Sequence, residues 1–156
     1  MTFRDRVDAG RLLAEVLRGD IDGDVVVLGV PRGGVPVAAQ VAQALGAPLD
    51  VVVVRKLGVP HRSELAMGAI GEQDVRVLDG EVIRRCQVSD DSLAAVEAEE
   101  RAELSRRAAH YRAGRDRSSL VGCTALIVDD GMATGSTAQA AAQVVRQLGA
   151  SRVVVA

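Results

Sequence analysis

Two stretches of the chain are written to one plan, and that repetition constrains the fold more than any single residue does. In the first, the apolar run VVVLGV (25–30) meets the loop Pro31-Arg32-Gly33-Gly34, and Pro36 then opens a helix whose Val37, Val41, Ala42 and Leu45 precede Gly46. A second apolar run, DVVVV (50–54), follows. In the other stretch, TALIV (124–128) runs into a glycine-containing loop, a helix closing on Leu148-Gly149-Ala150, and RVVVA (152–156). The likeness reaches single residues, since QVAQALGA (40–47) aligns with QVVRQLGA (143–150). Continuously apolar strands alternating with helices pair in parallel through right-handed crossovers, and both faces of their sheet are covered. The expected class is therefore α/β, a doubly wound, mainly parallel sheet with helices on both faces. Ligands in such sheets sit at the carboxyl ends of the strands, where both glycine-containing loops fall.

The remaining segments fit around this frame. Residues 3–17 place Phe3, Val7, Leu13 and Val16/Leu17 at helical spacing before the turn residues Gly19 and Asp22-Gly23-Asp24. Residues 65–70 and 75–78, separated by Gly71-Glu72-Gln73-Asp74, suit a small antiparallel hairpin. The polar stretch 59–63 before it reads as a mobile loop. Ser89, Asp90 and Asp91 open a charged helix over 90–112 with an apolar stripe of Leu93, Val96, Leu104, Ala108 and Tyr111, its charges expected to form a solvated face.

Composition removes several function classes. The chain's 156 residues and 48% hydrophobic content suit one domain, 1–156. No apolar run approaches the roughly 20 residues needed to cross a bilayer, and the charged amino terminus leads into no signal-peptide core, so a cytoplasmic location away from membranes is expected. A net charge of −2 without a block of basic residues argues against a nucleic-acid partner. Phe3 and Tyr111 are the only aromatic residues, too few to stack successive bases. Cys86 and Cys123 lack metal-ligand spacing and read as buried free thiols.

The chemistry concentrates in Ile127-Val128-Asp129-Asp130-Gly131-Met132-Ala133-Thr134-Gly135-Ser136-Thr137, between a strand and a helix. Backbone amides at a helix amino terminus, the hydroxyls of Thr134, Ser136 and Thr137, and glycines that admit close approach make a cradle for a phosphate dianion. The adjacent carboxylates of Asp129 and Asp130 would repel that phosphate, so they call for hydroxyl donors or a hydrated cation instead. A sugar phosphate meets both demands, its diol at the acid pair and its phosphate at the loop. Gly-Lys-Ser/Thr is missing, which excludes a Walker A loop, and Gly29-Val30-Pro31-Arg32-Gly33-Gly34 does not match the dinucleotide fingerprint G-x-G-x-x-G.

This segment resembles the motif with which type I phosphoribosyltransferases bind 5-phosphoribosyl-1-pyrophosphate (PRPP): two apolar residues, two acidic ones, and a loop ending Thr-Gly-x-Ser/Thr. The resemblance covers most of residues 25–156 and implies the family's Rossmann-like fold. It also implies that Asp129 and Asp130 contact the ribose hydroxyls and, through water or substrate, magnesium as cofactor. Residues 131–137 (Gly131, Met132, Ala133, Thr134, Gly135, Ser136, Thr137) would then hold the 5-phosphate. Arg32, Gly33 and Gly34 occupy the place of the family's pyrophosphate loop, which often contains a non-proline cis peptide, and Arg55 and Lys56 the place of its basic residue on pyrophosphate. Residues 57–68 stand where the family has a loop that closes over the reacting centre; His61 and Glu64 receive no role. The implied activity is transfer of the phosphoribosyl group to a nitrogenous acceptor, a nucleobase or related compound of unidentified structure, with release of pyrophosphate and no protein nucleophile. A PRPP-sensing module without transferase activity is the alternative. The family's acceptor-reading hood is built largely after the last core strand, or sometimes from the amino-terminal segment. This chain stops inside the apolar run at Ala156, which reads as a truncated domain of a longer or fused protein. A homodimer is the family's common habit.

Overall fold

A computed structural model describes residues 2–132 and 135–156. In chain order the elements are α1 (Arg6–Leu17), β1 (Val25–Gly29), α2 (Gly34–Leu45), β2 (Leu49–Val51), β3 (Val54–Val59), β4 (Arg62–Gly71), β5 (Arg76–Leu78), α3 (Gly80–Arg85), α4 (Asp90–Arg112), β6 (Thr124–Val128), α5 (Ser136–Gln147) and β7 (Arg152–Val155). Four parallel strands form the main sheet in the order β2-β1-β6-β7, and β3-β4-β5 form a separate antiparallel sheet. Among the described residues no helix is long and apolar enough to cross a membrane.

The period-2 alternation of the central strands decides which helix covers which face. Val27 on β1 and Leu126 and Val128 on β6 face α1 and α2, packing with Ala14, Leu17, Val37 and Val41. Their neighbours Val26, Leu28, Ala125 and Ile127 face the other way, against Ala141 and Val145 of α5. Val27, Leu28, Leu126 and Ile127 are all fully buried, and each such side chain contributes about 1.5–3 kcal/mol relative to exposure. The continuous apolar runs are thus strands covered on both sides, as their sequence implies. The crossover from β1 leads to β2 and that from β6 to β7, in opposite directions, so the strand order reverses between β1 and β6. At such a switch point a doubly wound sheet opens a crevice at its carboxyl edge.

The second layer differs from the sequence-based expectation. The run 50–54 is not one strand: β2 ends at Val51, the fully buried Val52 and Val53 cross between sheets, and Val54 begins β3. Residues 57–68, expected as a closing loop, are drawn into the β3–β4 hairpin, which turns at Pro60 and His61 with His61 at φ 66°. Leu57, Val59, Met67 and Ile70 of this hairpin pack on Leu93 and Leu104 of α4. The charges of α4 are also less solvated than expected: Glu97 pairs with Arg76, Glu100 with Arg55, and Arg112 with Asp50 and Glu72. The thiols of Cys86 and Cys123 are free and half-buried.

Candidate active site

The loops after β1 and β6 meet at the switch point. β1 and β6 are paired along their length, from Val25 opposite Thr124 to Gly29 opposite Val128, and the Val30 amide donates to the Val128 carbonyl at 2.9 Å. That register places Pro31-Arg32-Gly33 beside Asp129-Asp130. A methyl group built on Gly33 would fall inside the Asp130 carboxylate, so only glycine admits this approach. The Pro31–Arg32 peptide is cis, at the place the resemblance assigns to a cis peptide.

The acid pair is asymmetric. Asp129 is half-buried, and burial followed by the neighbouring Asp130 charge raises its carboxyl above the ordinary aspartate value. Its Oδ1 accepts the Asp130 amide at 2.9 Å. Asp130 is exposed, and hydrogen bonds from Arg6 hold its carboxyl below the ordinary value. Arg6 reaches from the first turn of α1, 124 positions away in sequence, and sets Nε at 3.0 Å and Nη2 at 2.7 Å on Asp130 Oδ2. Asp5 caps α1 by accepting the Asp8 amide, which fixes the turn that carries Arg6.

The loop after Asp130 leads to α5, whose amino end is positive by its dipole. Gly135, the residue before that helix, has φ 74°, a left-handed conformation that glycine takes without a side-chain penalty. Lys56 on β3 donates from Nζ to Ser136 Oγ at 2.9 Å, which brings the second sheet's cation onto the amino end of α5. Thr137 lines the same cleft, while Gly131 and Met132 are exposed on the loop. Ala133 and Thr134 lie outside the described residues.

Not every expected site residue points into the cleft. Arg55 does line it, but Nε is held at 2.6 Å by Glu100 Oε2 on α4. Arg32 stands exposed on its loop without an ion pair among the described residues. The cleft has a volume of about 470 Å³ and runs from Pro31 and Lys56 across to the acid pair. Its far wall holds Glu100, Arg107 and Tyr111 of α4, which the motif gave no reason to select. Arg6 was likewise invisible to local spacing.

Among the described residues no cluster of three acidic, histidine or cysteine side chains could hold a metal ion alone. The acid pair offers two hard oxygen donors, enough for a hydrated magnesium ion that a substrate also ligates, but not for a closed protein cage. In sum, the cleft offers an acid pair beside a positive helix end, with Lys56 on the loop between.

Residues 6–156 match the phosphoribosyl transferase domain family. The chain belongs to this family. A Mycobacterium tuberculosis protein provisionally named as a phosphoribosyl transferase is 58% identical over 154 residues, 99% of this chain. The chain spans 35% of that curated relative's length. A crystal structure of a Thermus thermophilus protein superposes with a TM-score of 0.91 at 47% identity, over 99% of this chain and 74% of that one. A purine phosphoribosyltransferase from Pyrococcus horikoshii shares the fold, with a TM-score of 0.52 and 23% identity over 97% of this chain and 70% of its own. The fold expected from the repeated strand-helix pattern is thus that of the phosphoribosyltransferase family.

Proposed function

We propose that this domain binds PRPP with magnesium and transfers its phosphoribosyl group to a nitrogen acceptor, releasing pyrophosphate. The observation that carries the reading is the meeting of Asp129-Asp130 with Gly33 at the switch point, beside a phosphate loop reached by Lys56. Asp129 and Asp130 accept hydrogen bonds from the ribose 2- and 3-hydroxyls. The loop 131–137 and the amino end of α5 take the 5-phosphate. Lys56, with Arg55 lining the same cleft and Arg32 exposed on the loop after β1, balances the charge of the pyrophosphate.

In the reaction the bond between the anomeric carbon and the pyrophosphate oxygen breaks with its electron pair going to oxygen, and the acceptor nitrogen's lone pair forms the new C–N bond. Positive charge develops on the ribose as the first bond lengthens. The acid pair, fixed under the ring, stabilises that charge electrostatically, and Lys56 stabilises the departing anion. Asp129 and Asp130 would help to hold a magnesium ion together with substrate oxygens, and that ion would supply positive charge to balance the pyrophosphate. No protein nucleophile is required.

The test is a pyrophosphate-release assay on the full-length protein with PRPP, magnesium and a panel of purine, pyrimidine and other nitrogen acceptors. Acceptor-dependent release that Lys56→Met reduces supports the transferase reading. PRPP binding without release for any acceptor would move the assignment to a sensing module.

A further inference from the structure

Arg55 and Lys56 are neighbours on β3, so the alternation of a strand sends their side chains to opposite faces. Lys56 finds its anchor on α5, where Ser136 Oγ accepts from Nζ. Arg55 finds its own on α4, where Glu100 Oε2 accepts from Nε at 2.6 Å, the two side chains 28% and 23% exposed. Both cations line the cleft of the acid pair, and so does Glu100. A carboxylate in that place repels the polyanion the cleft is proposed to take, so on charge alone it weakens the site.

What Glu100 supplies against that cost is direction. Arg55 stands on a divide: besides the cleft it borders a second notch, whose other walls are Glu99, Glu100, Ala102, Glu103 and Arg106 of α4. A long, rotamer-rich guanidinium left unanchored would be drawn among the carboxylates of that notch and away from the cleft. Glu100 borders both and fixes the side chain by one nitrogen. Nη1 and Nη2 make no hydrogen bond among the described residues, and they are paired donors of the kind that meets two phosphate oxygens. Arg107, which also lines the cleft, shows the looser case. Its Nε is held by Glu103, but it is 46% exposed and Glu103 is divided between it and Arg106. The bond from Arg55 to Glu100 is more buried, and among the described residues neither side chain shares it with a third.

We propose that Glu100 is a positioning residue, which holds Arg55 at the cleft through Nε and keeps Nη1 and Nη2 for a phosphate group of the pyrophosphate. The inference rests on the PRPP reading above. Helix α4, which carries no residue of the acid-pair motif, thereby sets the geometry of a cation that β3 supplies.

Calorimetry on the full-length protein measures magnesium pyrophosphate and ribose 5-phosphate separately, in the wild type, Glu100→Ala, Glu100→Gln, Arg55→Met and Arg55→Met/Glu100→Ala. Glutamine keeps an oxygen that accepts from Nε and removes the charge, so the direction of its effect separates an anchor from a counter-charge. Glu100→Ala and Arg55→Met are each expected to weaken pyrophosphate binding roughly tenfold, while Glu100→Gln stays within about threefold of the wild type. Adding Glu100→Ala to Arg55→Met should change the affinity by less than about twofold, because a residue that acts through Arg55 has nothing left to act on. Ribose 5-phosphate should bind all five proteins alike, which a general disturbance of α4 would not allow. Tighter pyrophosphate binding in both Glu100 variants makes Glu100 a counter-charge, and unchanged binding makes it a clasp between α4 and β3; either result overturns the proposal. So does a tenfold loss from Glu100→Ala in the Arg55→Met background, or an equal loss of ribose 5-phosphate. A folded wild type that binds neither ligand contradicts the PRPP reading itself.

Discussion

Two clusters of charge in this molecule use the same residue types and do opposite work. Beneath the junction of the two sheets, Arg112 of α4 donates to Asp50 Oδ1 at 2.6 Å, to the Val51 carbonyl at 3.1 Å and to both oxygens of Glu72 at 2.6 and 2.8 Å. Arg117 adds a bond to Glu72 at 2.5 Å, and the Ser118 amide one to Asp50 at 2.7 Å. Two guanidinium groups meet two carboxylates, and all four side chains are at most 13% exposed. At the carboxyl edge of the sheet, by contrast, two adjacent carboxylates have one guanidinium beside them, that of Arg6, which is 59% exposed and bonds Asp130 alone. The first cluster is closed, with its charges answered within the protein, and it ties β2, the turn after β4 and the end of α4 together. The second is left one positive charge short on a rigid scaffold, which is the condition for binding a ligand that brings hydroxyls and a cation. Buried charges matched one for one point to structure; a carboxylate left without a cation in a cleft points to function.

The largest effect should come from opening the closed cluster. Arg112→Met leaves Asp50 and Glu72 buried without their main partner, and the expected loss is about 3–5 kcal/mol in denaturant unfolding, with PRPP affinity of the folded protein unchanged. A small loss would mean that the cluster is decoration and that the comparison fails. In the open cluster, Lys56→Met should weaken PRPP binding roughly ten- to hundredfold, the about 1.5–3 kcal/mol of a charge-assisted hydrogen bond, without lowering the melting temperature.

Acid should separate the two further. Burial alone would raise the carboxyls of Asp50 and Glu72, but for Asp50 the Ser118 amide and Arg112, and for Glu72 the hydrogen bonds of Arg112 and Arg117, outweigh it and hold both below their ordinary values. A carboxyl depressed in the folded state contributes stability that is complete above its unfolded value and disappears as pH falls through the folded one. Unfolding free energy should therefore decline below about pH 4, and this decline should be shallower in Arg112→Met. Asp129 is shifted the other way, so PRPP affinity should begin to fall at a higher pH than stability does.

Smaller effects sharpen the contrast. Arg117 makes one bond to Glu72 and leaves its buried Nε and Nη1 without partners, so Arg117→Met should cost only about 1 kcal/mol. Arg6→Gln, at an exposed pair, should change stability by less than about 1 kcal/mol.

What could be read from the sequence follows the range of the interactions involved. The main sheet was legible because Val25–Gly29 and Thr124–Val128 are buried on both faces, and a strand of that kind writes its environment as an unbroken apolar run. The acid pair and the loop that follows it were legible as a motif because their residues are contiguous, from Asp129 to Thr137. Val52 and Val53 misled because a crossing between two buried layers carries the same apolar signature as a strand. Arg6 was not legible as a partner of Asp130, since only the packing of α1 over α2 and the sheet edge brings it there. The charges of α4 read as solvent-facing because their partners, Arg55, Asp50 and Glu72, come from strands placed against them by tertiary structure alone.

The central claim is that the acid pair at the switch point exists to hold the ribose of PRPP. Its most direct test is calorimetric titration of magnesium-PRPP into the full-length wild type and into Asp129→Asn/Asp130→Asn. The account expects saturable binding to the wild type and a loss of roughly a hundredfold or more in the double variant, two charged hydrogen-bond acceptors being removed, with unfolding no easier than before. Equal affinity in the two proteins, or no binding to a folded wild type at millimolar PRPP, would contradict it.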